Sequence, residues 1–234
     1  MDMFSNRYIF IYSSVMVILV AIALTIVAVL LKPMQEYNQR VEKMQNILIS
    51  VHIESTPKNA EVLYKKYITE SLVVNSKGEV KEGVNAFDLE MQVENKKKSE
   101  DKNLPIFICM SEKNEKYYIV PVRGKGLWGP IWGYVSFKED LNTIVGTRFG
   151  HKSETPGLGA EINTPPFQNQ FINKTILNNE GSFISVMVVK GGAPDSDMHG
   201  VDAISGGTIT SKGLEAMVHD CIKEYTVYFS KIRK

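Results

Sequence analysis

From Tyr8 to Leu31 the chain carries no charged side chain. A run of about 24 residues is ~36 Å long as an α-helix, which is enough to cross the hydrocarbon core of a bilayer. Arg7 and Lys32 bracket it, and Tyr8 and Tyr12 stand where aromatic rings favour a membrane–water interface. A cleaved signal peptide would have a shorter apolar region and small residues at a cleavage site. Neither is present, and no cysteine lies nearby to carry a lipid anchor. The stretch therefore reads as a transmembrane helix, residues 8–31, behind a short tail of residues 1–7. Lys32, Arg40 and Lys43 follow it and only Arg7 precedes it, which nominally favours a cytoplasmic C-terminus. Glu36 and Glu42 are interleaved, however, and large domains translocate largely regardless of charge. Inside the span the polar groups are only Ser13, Ser14 and Thr25. An ion path through hydrocarbon usually needs ionisable groups; if the chain belongs to a pump, the ion passes mainly through other subunits.

The rest of the chain has globular character. Of 234 residues, 44% are hydrophobic and 23% charged, which excludes collagen-like, disulfide-dense and fully disordered classes. Lys and Arg number 27 against 26 Asp and Glu, so no broad basic face exists for nucleic acid. Two cysteines, Cys109 and Cys221, without a CxxC pair, are too few for a cysteine zinc site, and their pairing stays open.

Beyond the span, Met34, Tyr37, Val41, Met44 and Leu48 recur at helical spacing, giving an amphipathic stalk over residues 32–55. Thr56-Pro57 is expected to open a second helix with Leu63, Tyr67 and Ile68 on one side. Extended runs follow at Leu72–Val74 and Val80 around a turn at Asn75–Gly78, and Glu94–Asn103 reads as a solvated charged loop. Strands are expected at Ile106–Met110, Tyr117–Val122, Trp132–Phe137, Thr143–Phe149 and Phe183–Val189. Ser211 is expected to cap a last helix burying Leu214, Met217, Cys221, Tyr225, Tyr228 and Ile232. Residues 56–234 thus form one α+β domain, a largely antiparallel sheet flanked by helices.

Three glycine-bearing loops could carry chemistry. Gly124-Lys-Gly126-Leu-Trp-Gly129 matches GxGxxG, but Pro130 and a strand follow where a dinucleotide site needs a helix start. A tight turn between strands is the better account, with Trp128 packed in the core. Glu154-Thr155-Pro156-Gly157-Leu158-Gly159 holds a type II turn signal, and its glycines could lay backbone against a planar ligand. In Asp202-Ala-Ile-Ser205-Gly206-Gly207-Thr208-Ile-Thr210-Ser211, two glycines and four hydroxyls precede a helix, where orphan N–H groups and the helix dipole favour a phosphate. A polar cap would need only one of those hydroxyls. His199 reads as a surface residue.

Asp202-x-x-Ser205-Gly206-Gly207-Thr208 resembles the D-x-x-[S/T]-G-A-T flavinylation motif, in which FMN is attached through its phosphate to the final threonine. With the single span, the Gly-Leu-Trp-Gly segment and Glu-Thr-Pro-Gly-Leu-Gly, the whole chain is similar to the C subunits of the sodium-pumping NADH:quinone reductases. Gly207 departs from the family pattern, which usually has alanine. The resemblance implies covalent FMN on Thr208, with Asp202, Ser205, Gly206, Gly207 and Thr210 shaping its loop. It places Glu154, Thr155, Gly157, Leu158, Gly159 and Trp128 beside the flavin. It implies a flavin transferase using FAD, and electrons passing toward the flavin of the B subunit and then quinone. It also implies the D and E subunits as membrane neighbours, A and F in the same assembly, and a periplasmic domain on a bacterial inner membrane. No catalytic residue or metal ligand set is expected on this chain. The G subunit of the Rnf complex shares both later motifs, and a non-flavin extracytoplasmic sensor would explain the architecture alone.

Overall fold

The computed structural model describes residues 5–233. The chain divides into two units, Met1–Lys43 and Met44–Lys234.

Helix α1, Asn6–Ile49, begins in the first unit and runs without interruption through Pro33. Its described side chains from Ile9 to Leu31 are largely exposed, as in a helix that meets hydrocarbon rather than a protein core. Thr25 Oγ1 donates to the carbonyl of Ala21 at 2.7 Å, so this hydroxyl is satisfied within its own helix. Asn6 and Arg7 are helical, which shortens the expected tail, and Met1–Phe4 lie outside the described residues.

In the second unit, the last turns of α1 end at Ile49 rather than at residue 55. His52 adopts φ 61° and the Ile53 N–H returns to the carbonyl of Leu48, turning the chain back. Helix α2 spans Ala60–Tyr67. Thr56-Pro57 does not open it: Thr56 accepts from Asn59 and Ala60 N–H in a turn, and Asn59 stands at the cap. Ile68 already belongs to the next element, strand β1, Ile68–Val74. A short helix α3, Met91–Glu94, ends at the residue where the solvated charged loop is expected to begin. Glu94 there is buried, its carboxylate accepting from Lys97 Nζ (2.8 Å) and Asn103 N (2.9 Å).

Strands β2 (Leu104–Met110), β3 (Lys116–Lys125), β4 (Pro130–Phe137) and β5 (Ile144–His151) complete a five-stranded sheet. Its order is β1-β2-β3-β4-β5 and every pairing is antiparallel. Both faces are covered, which is why Leu104–Cys109 reads as an unbroken apolar run and is buried throughout. One core holds Ile47, Val51, Val73, Phe107, Cys109 and Ile119. The other holds Val120, Val135, Phe137 and Phe149 under helix α5, Thr208–Ile232, which contributes Leu214, Val218, Ile222, Tyr225 and Phe229. Cys109 and Cys221 belong to different cores and are free thiols.

Between β5 and α5 lie helix α4 (Pro165–Gln168) and a parallel pair, β6 (Met187–Val189) with β7 (Gly200–Asp202). The expected strand Phe183–Val189 is therefore mostly irregular. Ser185 has φ 68°, which breaks the extended run, and Met187 is 48% exposed. Ser211 also differs from expectation: α5 starts at Thr208, and its cap is Gly207, four residues earlier.

Candidate cofactor site at the start of the last helix

The β3–β4 connection is a tight turn, as its sequence predicts, closed by the Gly126 N–H to the carbonyl of Gly129 at 2.8 Å. Its glycines serve packing rather than a pyrophosphate. A Cβ at Gly126 would lie 2.6 Å from Glu154 Oε1, and one at Gly124 would lie 2.7 Å from Met217 Cβ. Trp128 does not enter the core: its side chain is 66% exposed, because the two-sided sheet ends before the turn. Its backbone is what reaches inward, donating to Glu154 Oε1 at 2.9 Å.

In the second loop, Leu158 N–H returns to the carbonyl of Thr155 (3.1 Å) with Gly157 at φ 74°, the type II geometry its Pro-Gly dictates. Thr155, Gly157 and Leu158 are exposed, whereas Glu154 and Gly159 are buried. Glu154 Oε2 accepts from Thr210 Oγ1 at 2.5 Å. A Cβ at Gly159 would collide with that hydroxyl and lie 2.6 Å from Glu154 Oε2. Burial opposes the charge of Glu154. Hydrogen bonding from the Thr210 hydroxyl and the N–H groups of Trp128, Gly129 and Leu127 outweighs it and holds the carboxyl below the usual carboxylate range.

The third loop sorts its four hydroxyls into two classes. Thr210 and Ser211 are buried: the first binds Glu154, and the second accepts from Ile204 N at 3.1 Å. Ser205 and Thr208 are exposed. Gly206 takes φ 72°, and Leu158 Cδ2 lies 2.5 Å from where its Cβ would be. No side chain caps α5, and its first intrahelical bond is Ser211 N–H to the carbonyl of Gly207. The N–H groups of Thr208, Ile209 and Thr210 therefore head the helix beside the exposed Thr208 hydroxyl. Gly207 packs under Ile204, whose Cγ2 would stand 2.9 Å from an added Cβ.

Asp202 lies further out. Its Oδ1 accepts from Ala193 N (2.8 Å) and its own N–H donates to Gln170 Oε1 (2.7 Å), so it fastens the β6–β7 connection rather than the helix start. His199 is only partly buried, with Nδ1 2.7 Å from the carbonyl of Thr175. Gly126, Leu127 and Ile204 are site residues that sequence reading passed over. The second glycine of the rejected GxGxxG was the available signal for Gly126.

A domain family described as "FMN-binding domain" matches residues 126–223, a span that begins within the first of these loops and holds the other two. The chain is also 32% identical over 203 residues to the C subunit of the Na(+)-translocating NADH-quinone reductase of Haemophilus ducreyi, covering 80% of this chain and 78% of that protein. The chain belongs to the family of C subunits of Na(+)-translocating NADH-quinone reductases. The C subunit of Vibrio alginolyticus is 32% identical over 210 residues, with 83% and 82% of the two chains covered. Among solved structures, the C subunit from Parabacteroides distasonis superposes with a TM-score of 0.79 at 40% identity, covering 86% of this chain and 97% of that one. NqrC of Shewanella oneidensis superposes with a TM-score of 0.73 at 25% identity, covering 83% and 98%. The antiparallel sheet and its flanking helices are thus the fold of this family.

Proposed function

We propose that the chain carries FMN covalently, through a phosphoester to Thr208, and relays electrons within a membrane-bound NADH:quinone reductase complex. The observation that carries this reading is the division of the four hydroxyls. Thr210 and Ser211 are buried and engaged, while Thr208 is exposed at the first position of an uncapped helix. N–H groups and the helix dipole at that point favour phosphate oxygens. Ser205 and the backbone of Gly206 and Gly207 would flank the phosphate. Leu158 and Trp128, both exposed nearby, would offer apolar surface to a flavin ring.

When bound, FMN supplies the reversible uptake and release of electrons; the protein fixes its position and surroundings. Attachment requires a separate transferase. Thr208 Oγ1 displaces AMP from FAD, forming one P–O ester bond as the phosphoanhydride bond breaks. The apolar run of α1 supports anchoring in a membrane, and family resemblance supports a bacterial inner membrane with the domain on the periplasmic side. It likewise supports the B, D and E subunits as neighbours, with A and F in the same complex. Electrons would pass on to the flavin of the B subunit and then quinone.

The test is intact-mass measurement on full-length chain made with a flavin transferase and FAD. Wild type should gain one FMN phosphoryl mass, and gel-separated denatured protein should fluoresce under ultraviolet light. Thr208→Ala should lose both while still folding, and Ser211→Ala should keep them. A full adduct on Thr208→Ala would refute the assignment.

A further inference from the structure

Resting on Thr208 as the acceptor, the geometry assigns a separate duty to Glu154. We propose that Glu154 is a positioning residue for the modification of Thr208: an internal anion that ties the Gly126–Gly129 turn to the first turn of α5. In doing so it sets the amide array at Thr208 before any cofactor arrives.

Donors from two distant segments converge on this one carboxylate. Trp128 N–H (2.9 Å) and the Thr210 hydroxyl (2.5 Å) bind its two oxygens, and the neighbouring N–H groups of Leu127 and Gly129 further favour its charge. Successive N–H groups around one anion form a nest, and an ionised carboxylate can accept from the nest and from the Thr210 hydroxyl together. Glu154 is 5% exposed, so its carboxylate is committed inward rather than toward a ligand. Gly126 and Gly159 make room for it, since a Cβ at either would lie 2.6 Å from one of its oxygens.

Two consequences converge on Thr208. Thr210 is two residues further along the same helical turn, so fixing its hydroxyl fixes the start of α5. The glycine-rich turn is itself an anion nest, and Glu154 fills it. A phosphate approaching these loops is thereby left with the N–H groups that head α5, which lie beside the acceptor hydroxyl.

The experiment follows initial rates of flavin addition to full-length chain, with transferase and FAD, by intact mass. It uses wild type, Glu154→Gln, Thr210→Val and Thr210→Ser, with hydrogen exchange and a thermal melt on each. Glutamine keeps the size but removes the charge and one acceptor oxygen, valine keeps the shape of threonine without its hydroxyl, and serine keeps the hydroxyl. The expected result is at least a tenfold slower rate for Glu154→Gln and Thr210→Val. Exchange should accelerate at residues 126–129 and at 207–210 together, and Thr210→Ser should return to within about twofold of wild type. Wild-type rates in Glu154→Gln and Thr210→Val would overturn the proposal, as would Thr210→Ser being as slow as Thr210→Val. If Glu154→Gln does not melt cooperatively, the Val and Ser pair decides. A wild-type chain without adduct would instead overturn the assignment of Thr208.

Discussion

Two glycines of the Glu154–Gly159 loop offer a matched test of how tightly it is built. Gly157 has φ 74° and open space around its missing Cβ, so alanine there meets only the left-handed backbone penalty, about 1 kcal/mol. Gly159 has no such backbone demand, but its added methyl would overlap Thr210 Oγ1 and stand 2.6 Å from Glu154 Oε2. Both are buried and bound to each other, so the methyl must push Thr210 off the carboxylate. Losing a hydrogen bond to a buried charge is worth about 1.5–3 kcal/mol, and residual crowding adds roughly 1 kcal/mol. Gly159→Ala should therefore cost ~2.5–4 kcal/mol. At roughly 2–4 °C per kcal/mol for a unit of this size, its Tm should fall by about 10 °C, against about 3 °C for Gly157→Ala. Thermal melts of the full chain in detergent, followed by near-ultraviolet circular dichroism, would read both. Gly159→Ala and Thr210→Ala each lose this same hydrogen bond, so the cost of the double variant should undershoot the sum by about 1.5–3 kcal/mol. Equal melting of the two glycine variants, or strict additivity, would refute the reasoning.

Burial pushes the thiols of Cys109 and Cys221 up to about 11, so native protein at pH 8 should resist iodoacetamide and take up two adducts only after unfolding, as mass spectrometry would show. The carboxyl of Glu154 lies below its ordinary value of 4.5, so its contribution is complete above that value and is lost as pH falls through the folded one. Glu154→Gln should thus flatten the acid limb of a stability–pH profile. Glu94 and Asp140, depressed in the same direction, would preserve part of it. Tyr225→Phe removes the hydroxyl that donates to the carbonyl of Pro105 at 3.1 Å and should cost about 1–2 kcal/mol in a thermal melt without altering flavin content.

The apolar span, the antiparallel strands and the buried face of α5 were legible because each rests on local periodicity or on charge depletion. What sequence could not show was where backbone geometry interrupts a pattern. Phe183–Val189 reads as a strand by composition, but Ser185 at φ 68° ends it. Thr56-Pro57 has good capping chemistry, yet the turn closed by Asn59 takes the residues that would have begun the helix. The site was half legible. Glycine and hydroxyl density marked the three loops, but their convergence on Glu154 joins residues 126–129, 154–159 and 210, a relation between distant segments that no local pattern encodes. Nor could residue type tell Thr208 from Thr210, since both are threonines on one turn and only burial separates them.

Helix α5 has a bearing on how the protein is made. It follows the other described elements in chain order, and ten of its residues are buried, closing a core that the earlier strands cannot close alone. Until Tyr225 and Phe229 leave the ribosome, one face of the sheet has no cover, and the growing chain is at its most vulnerable to aggregation and proteolysis. The same helix begins with Thr208, the acceptor proposed above. Its N–H array exists only after the helix has docked, so a transferase that reads this array would reject unfinished chains. Cofactor loading would then act as an inspection step, reserving flavin for molecules that have completed their fold.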